Sequence, residues 1–83
     1  MRKNLPTNML KVYSTPTCPY CNLLKNWLKE NKVPFQDIDV AADNTKADEM
    51  VLISGQMGVP VVDLDGQVVV GFDRDRLKEM LKL

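Results

Sequence analysis

The chain has 83 residues, of which 45% are apolar and 27% are charged, and its formal net charge is zero. A chain of this length builds one small hydrophobic core, which excludes a second domain, and the composition is ordinary for a globular protein. No stretch approaches the ~18 consecutive apolar residues of a membrane span, no signal peptide follows Met1, and no basic cluster is interleaved with aromatic residues. We therefore expect a cytoplasmic protein whose partners are neither a membrane nor a nucleic acid.

The first elements predicted along the chain are a strand and a helix that starts with the cysteines. Residues 1–8 are polar and predict a flexible N-terminal extension, so the folded domain is expected to span residues 9–83. Leu10–Tyr13 alternates apolar and polar side chains as a strand does, and the turn formers at 14–17 end it. From Cys18 onward, five apolar residues recur at helical spacing: Tyr20, Leu23, Leu24, Trp27 and Leu28.

Local signals place both ends of this helix. Thr17 is the predicted N-cap, because a hydroxyl oxygen can accept a hydrogen bond from a free backbone N–H group of the first turn. Pro19 falls in that turn, where its missing N–H costs nothing, and Asn31 and Pro34 mark the exit. The sequence therefore predicts about three and a half helical turns with the cysteines at their start.

The second half of the chain predicts a strand, a short helix and a pair of strands. The strand is Phe35–Val40, and the short helix is Lys46–Ser54, which Gly55 ends. Two runs rich in β-branched residues follow, Val59–Leu64 and Gln67–Val70. They are predicted to be the last two strands.

Asp65 and Gly66 join these two runs, and this dipeptide suits the positive φ angles of a two-residue type I′ hairpin turn. Asp73 is the predicted N-cap of a final helix whose apolar face includes Leu77. The first two strands should be parallel because a helix joins them by a right-handed crossover, whereas hairpin strands must be antiparallel. The sequence thus predicts an α/β fold of the thioredoxin-like type, with one mixed four-stranded sheet. Helices one and three should cover one face and helix two the other.

The two cysteines, Cys18 and Cys21, stand at the predicted start of the first helix. A disulfide between them would close too small a loop to stabilise the fold, so a chemical role explains the pair better. A helix N-terminus stabilises a thiolate, the form that attacks disulfides, which favours Cys18 as the nucleophile. Cys21 lies one turn further on, where it can attack the mixed disulfide on Cys18 and release the product. Cys21 is therefore the predicted resolving thiol, and Pro19 restricts the backbone between the two.

Other interpretations of these residues stay open. The pair could bind a metal or be two buried thiols, although a chain with no histidine and two cysteines cannot complete a zinc site alone. No cofactor is therefore predicted. Tyr20 is expected either to form one wall of a substrate groove or to join the core. Val59-Pro60 is either a substrate contact beside the nucleophile or a strand that opens on proline.

Three short motifs carry a family resemblance. Cys18-Pro19-Tyr20-Cys21, Val59-Pro60 and Gly71-Phe72-Asp73 stand in an order and spacing in which the chain from about Met9 to Leu83 resembles the bacterial glutaredoxin family. The resemblance implies a thiol-disulfide oxidoreductase, an electron carrier that reduces protein disulfides through its dithiol. It also implies a cis peptide before Pro60, which exposes the Val59 backbone to substrate. The residues implied to bind substrate are Pro19, Tyr20, Val59, Pro60, Gly71, Phe72 and Asp73.

Three positions bear on the electron donor. Glutathione-using members of the family carry a basic residue three positions before the first cysteine, a threonine before the Val-Pro pair and a Gly-Gly near the last helix. This chain has Thr15, Gly58 and Gly71-Phe72 in those places. The Gly71-Phe72 turn is more similar to redoxins associated with ribonucleotide reductase, whose donor is a thioredoxin-reductase-like flavoenzyme. The resemblance therefore favours the flavoenzyme over glutathione, although Asp73 could still meet the glutathione amino group and Phe72 could instead be a core residue.

Two other classes of function are alternatives to the redox carrier. An iron–sulfur or metal carrier would use Cys18 from two subunits together with two external thiols. An inert binding module would contain a cysteine pair that does not cycle. The strand-then-helix setting of the pair favours the redox carrier, which we expect to be a monomer.

Overall fold

The computed structural model describes residues 10–82, so the predicted extension over residues 1–8 lies outside the described part of the chain. Within this range seven elements follow one another in the predicted order. They are β1 (Leu10–Ser14), α1 (Pro19–Glu30), β2 (Phe35–Asp39), α2 (Asn44–Ser54), β3 (Val61–Leu64), β4 (Gln67–Val70) and α3 (Arg74–Leu81). No helix between residues 10 and 82 is both long enough and apolar enough to cross a membrane.

The four strands form one mixed sheet in the order β2-β1-β3-β4. β1 runs parallel to β2 and antiparallel to β3, while β3 and β4 form the predicted hairpin. The register places Tyr13 of β1 between Ile38 of β2 and Val61 of β3. Because residues paired across strands point to the same face of a sheet, these three side chains meet on one side. The predicted mixed sheet is confirmed.

Each face of the sheet has its own hydrophobic core. α1 and α3 cover one face and α2 covers the other, as the element order predicts. The first core contains Leu10, Val12, Leu24, Leu28, Val62, Val69 and Leu77. The second contains Tyr13, Ile38, Val40, Met50 and Val61. Since β1 contributes to both cores, the loop that follows it starts from a strand held on both faces.

The first helix is capped by Cys18, and the prediction of Thr17 as N-cap is wrong. Cys18 has extended backbone angles (φ −90°, ψ 113°), and its side chain accepts a hydrogen bond from the backbone N–H of Cys21. The general preference for a hydroxyl at the N-cap favoured Thr17, but the turn brings the sulfur of the next residue over the free N–H groups. The cysteine predicted to attack disulfides therefore occupies the capping position itself, and Pro19 is the first helical residue.

The other predicted boundaries differ by one or two residues. β3 begins at Val61, two residues later than predicted, because Pro60 has no N–H to donate to the sheet. α2 begins two residues earlier than predicted, because Asp43 accepts hydrogen bonds from two backbone N–H groups of its first turn. The hairpin turn is as predicted, with positive φ at Asp65 (53°) and Gly66 (91°).

A substitution in the first core tests this packing. Leu28 is fully buried, and Leu28→Ala is expected to lower the free energy of unfolding by about 2–5 kcal/mol, because it removes contacts and leaves a cavity. Leu52 on α2 is 84% exposed, so Leu52→Ala is the matched control and should change the free energy by less than about 0.5 kcal/mol. Urea unfolding of both variants measures the difference. Equal losses would contradict this assignment of the core.

Candidate active site

The two cysteines lie where β1 ends and α1 begins. The backbone N–H of Cys18 closes the intervening turn by donating to the carbonyl of Thr15 over 3.3 Å. Both thiols are free; Cys18 is half-buried and Cys21 is completely buried. The accessible cysteine is thus the one predicted to attack, and the buried one is predicted to resolve. Among residues 10–82 the structure assembles no group of three His, Cys, Asp or Glu side chains that could hold a metal ion.

The sulfur of Cys18 lies at the positive end of α1. Its Sγ accepts a hydrogen bond from the backbone N–H of Cys21 over 3.2 Å, at the end of the helix where N–H groups lack helical partners. This donor and the helix dipole both stabilise negative charge on the sulfur. The first turn of α1 contains no acidic residue that would oppose them. The position therefore suits a sulfur that attacks as a thiolate.

The Cys21 thiol has the opposite character. Burial raises its pKa to about 11, and the Cys18 sulfur adds to the rise through a hydrogen bond and through its charge. A hydrogen bond with the Thr15 backbone and the positive charge of Lys25 lower the pKa in part. In the reduced protein Cys21 therefore keeps its proton. Once Cys18 is held in a mixed disulfide, its sulfur carries no charge and no longer raises the pKa of Cys21 through charge. The pKa of Cys21 is therefore lower at the step in which Cys21 attacks.

A polar cluster of Lys25, Asp37 and Ser14 lies one helical turn beyond Cys21. The Lys25 ammonium forms an ion pair with the Asp37 carboxylate at 3.1 Å, and the Ser14 hydroxyl donates to the other carboxylate oxygen at 2.8 Å. Lys25 Nζ also donates to Ser14 Oγ over 3.4 Å. Ser14 is buried and the Lys25 side chain is only 17% exposed, so solvent screens this charge less than it screens a surface lysine. Sequence reasoning missed the cluster, although the spacing of four residues places Lys25 on the same helix face as Cys21.

Replacing Lys25 by methionine is expected to slow the attack of Cys21 on the mixed disulfide by about two- to tenfold at neutral pH, because a charge that favours the Cys21 thiolate is lost. The rate of the Cys21 attack should rise with pH up to the pKa of Cys21. The pH–rate profile of the Lys25→Met variant should be displaced to higher pH than that of the wild type. Lys29→Met, at an exposed position one turn further along α1, is the control. Stopped-flow measurement of product-thiol release across the alkaline range gives both profiles. Coincident profiles would contradict the role of Lys25.

The second motif lies at the same end of the sheet as the cysteines. The Val59–Pro60 peptide bond is cis, as the resemblance implies. Pro60 is buried, Val59 is half-buried, and the Pro60 carbonyl accepts a hydrogen bond from the N–H of Gly71 over 2.8 Å. Because β1 and β3 are antiparallel, the start of β3 lies beside the end of β1. The fold thus brings the end of β1, the start of β3 and the residue that follows β4 to the site.

The third motif has structural roles that the structure shows directly. The Phe72 ring packs edge-on against Trp27, with ring centroids 6.1 Å apart, and borders the first core. Asp73 caps α3 by accepting a hydrogen bond from the backbone N–H of Arg76 over 3.2 Å. Gly71 has a φ of 83°, which disfavours any side chain. Substrate binding by these three residues stays a prediction.

Exposed apolar side chains follow the cysteine that caps α1. Tyr20 is 64% exposed, so the alternative that placed it in the core is wrong. Leu23 is 52% exposed and lines a cleft of about 270 Å³ with Trp27 and Phe72. Apolar side chains that stay exposed in this way are suited to contact with another protein.

Comparison with known proteins identifies the family to which this chain is similar. A family model described as glutaredoxin matches residues 10–69. An uncharacterized glutaredoxin-like 8.6 kDa protein in the rubredoxin operon of Clostridium pasteurianum is 42% identical over 74 residues, which cover 89% of this chain and 99% of that protein. The glutaredoxin-like protein NrdH of Lactococcus lactis is 32% identical over 75 residues, 90% of this chain and 99% of that one.

A solved structure extends the similarity to three dimensions. The crystal structure of a glutaredoxin from Archaeoglobus fulgidus aligns with a TM-score of 0.85 over 99% of this chain and 98% of that chain, at 28% identity. The matched family segment contains both cysteines and the Val59-Pro60 pair. The fold is thus thioredoxin-like, and this chain belongs to the glutaredoxin family of thiol-disulfide redox proteins.

Proposed function

We propose that this chain is a dithiol electron carrier that reduces protein disulfides through Cys18-Pro19-Tyr20-Cys21. The observation that carries the proposal is the asymmetry of the pair: Cys18 is accessible and caps α1 with its sulfur, whereas Cys21 is fully buried behind it. A sulfur that caps a helix is suited to attack as a thiolate. A buried thiol with a raised pKa stays protonated until a mixed disulfide has formed.

The reaction balances as two exchanges. The Cys18 thiolate attacks one sulfur of the substrate, forms a mixed disulfide and expels the other sulfur as a thiolate, which takes a proton from solvent. Cys21 then loses its proton and attacks Cys18 Sγ, which releases the second substrate thiol. The substrate has gained two electrons and two protons, and the chain is left with a Cys18–Cys21 disulfide. An external donor must return the two electrons.

A protein substrate is supported by the surface around the site. Tyr20 and Leu23 expose large apolar side chains along α1, and Met57 is 81% exposed in the loop that leads to Val59. Contact with a protein surface would bury these side chains. We place the protein in the cytoplasm as a monomer, in line with the sequence predictions.

The proposed electron donor is a thioredoxin-reductase-like flavoenzyme. One relative is named a glutaredoxin-like protein NrdH, and the Gly71-Phe72 turn of this chain resembles that class. Thr15 supplies no positive charge at the place where glutathione-using members carry a base. The Phe72 ring, packed on Trp27, fills the position where those members have glycine. Both features disfavour glutathione.

The test compares two donors on the oxidised protein. One reaction contains thioredoxin reductase and NADPH, and the other contains glutathione, glutathione reductase and NADPH; the rate of Cys18–Cys21 reduction is followed by NADPH consumption. The flavoenzyme should reduce the pair at least about tenfold faster. Reduction by glutathione alone would overturn the proposed donor and leave the dithiol chemistry standing. If neither a donor nor dithiothreitol yields a protein that reduces a protein disulfide, the proposed function fails.

A further inference from the structure

The loop that connects α2 to β3 contains a side chain folded back on its own backbone. The backbone N–H of Gly58 donates to Oε1 of Gln56 over 2.6 Å, and Nε2 of Gln56 donates to the carbonyl of Gly58 over 2.9 Å. One carboxamide therefore pairs with both peptide groups of a single residue, as a neighbouring strand would. We call this pair of hydrogen bonds the Gln56 clamp.

The clamp is anchored to the end of α2. The Ser54 hydroxyl donates to the carbonyl of Met50 over 2.6 Å, and its oxygen accepts from the backbone N–H and from Nε2 of Gln56, each over 3.4 Å. Gly55 ends the helix with a φ of 74° and turns the chain toward the site. The position of Gln56 is thus set by a helix packed on the sheet.

The geometry of the clamp depends on the absence of a side chain at position 58. A Cβ on Gly58 would lie 2.8 Å from Oε1 of Gln56, which is closer than real Cβ contacts come. The flexible end of the Gln56 side chain would have to shift, and this shift would disturb both hydrogen bonds. The clamp in its observed form therefore requires glycine at position 58.

The peptide groups of the next residue are left open. In the part of the chain that the structure describes, no hydrogen bond engages the N–H or the carbonyl of Val59, whereas Pro60 is already bonded to Gly71 and Gly58 to Gln56. An extended segment that adds as a strand needs one residue whose N–H and carbonyl are both free. Between residues 58 and 60, only Val59 meets this requirement.

We infer that Gln56 is a positioning residue for the substrate chain: its clamp occupies the backbone of Gly58, so an incoming strand can pair only with Val59. The inference rests on the proposed reduction of protein disulfides, and it adds which backbone groups of the chain bind and align the substrate backbone. The clamp acts in two ways. It holds a glycine-containing loop in one conformation before binding, and it blocks pairing one residue away, which would turn every substrate side chain to the opposite face.

Two substrates with the same leaving group separate this role from the sulfur chemistry. One is a ten-residue extended peptide whose single cysteine is disulfide-linked to thionitrobenzoate, and the other is the small disulfide of two thionitrobenzoates. Under single-turnover conditions with reduced protein in excess, Gln56→Ala should raise the half-saturating concentration for the peptide by about five- to tenfold, with little change in the maximal rate. The reaction with the small disulfide should be unchanged.

Further variants identify the clamp as the cause. Gly58→Ala should weaken peptide binding to a similar extent as Gln56→Ala, and the double variant should be no worse than Gln56→Ala alone, because both substitutions act on the same two hydrogen bonds. Hydrogen exchange of the residue 58 amide should be faster in each of these variants. Gln67→Ala is the control, because Gln67 is exposed and lies at the end of β4 away from Gly71 and Pro60. This substitution should leave peptide binding unchanged.

The outcomes are distinguishable from failure of the proposed function. If the wild-type chain reduces neither substrate, the proposed function has failed. If the wild type reduces both and Gln56→Ala leaves the peptide reaction unchanged, or slows both substrates equally, the inference is overturned while the function stands. Additive effects of the two substitutions would also overturn it.

Discussion

Replacing Cys18 by serine is expected to reduce disulfide reductase activity at least about a thousandfold, because the attacking sulfur is lost and a hydroxyl does not ionise near neutral pH. The fold should persist, since a serine oxygen can accept the same hydrogen bond from the Cys21 N–H that Cys18 Sγ accepts at 3.2 Å. The measurement is reduction of a protein disulfide by the prereduced chain, with urea unfolding run in parallel.

The result separates chemistry from packing. A variant that unfolds with an unchanged midpoint but shows no activity supports Cys18 as the nucleophile. Full activity of Cys18→Ser would remove Cys18 from the mechanism. We do not expect it, because the remaining thiol is completely buried and could not reach a protein disulfide first.

Replacing Cys21 by serine is expected to trap the reaction halfway. Cys18 can still attack, but no neighbouring thiol resolves the mixed disulfide, so release of the second substrate thiol should slow by about a hundredfold or more when no external thiol is present. The mixed disulfide should therefore accumulate to nearly one equivalent per chain. Mass spectrometry of acid-quenched samples identifies the adduct by its mass.

The rate of the first step, the attack of Cys18 on the substrate, serves as the control. The first step, measured as release of the leaving thiol, should keep its rate within a few fold, because the backbone N–H of residue 21 still contacts Cys18 Sγ and only the interaction of the Cys21 thiol with that sulfur is lost. Cys21→Ala should behave like Cys21→Ser, which excludes an effect of the serine hydroxyl. If product release continued at the wild-type rate in both variants, Cys21 would not be the resolving thiol.

Local sequence signals predicted much of the fold. The alternation in Leu10–Tyr13, the helical spacing after Cys18 and the Asp65-Gly66 turn each involve residues close in sequence, so they act before any tertiary contact forms. The error at Thr17 has the same origin. Thr17 and Cys18 are neighbours, and the path of the turn decides which of them caps α1. The general preference for a hydroxyl at the N-cap carries no information about that path.

The candidate site was predictable only in part. The cysteine pair and Val59-Pro60 are visible as motifs, whereas the cluster of Lys25, Asp37 and Ser14 is not. Its members come from a helix and two strands, and they meet because β1 and β2 pair in one particular register.

The sequence by itself determined the order of the elements, the hairpin and the identity of the two thiols, because short-range spacing and turn chemistry encode them. Only the tertiary structure decided where Lys25 places its charge and which peptide groups stay open beside Pro60. The ion pair of Lys25 depends on how α1 packs on the sheet, and a side-chain clamp such as that of Gln56 depends on one rotamer in one loop conformation. Neither property leaves a pattern along the chain.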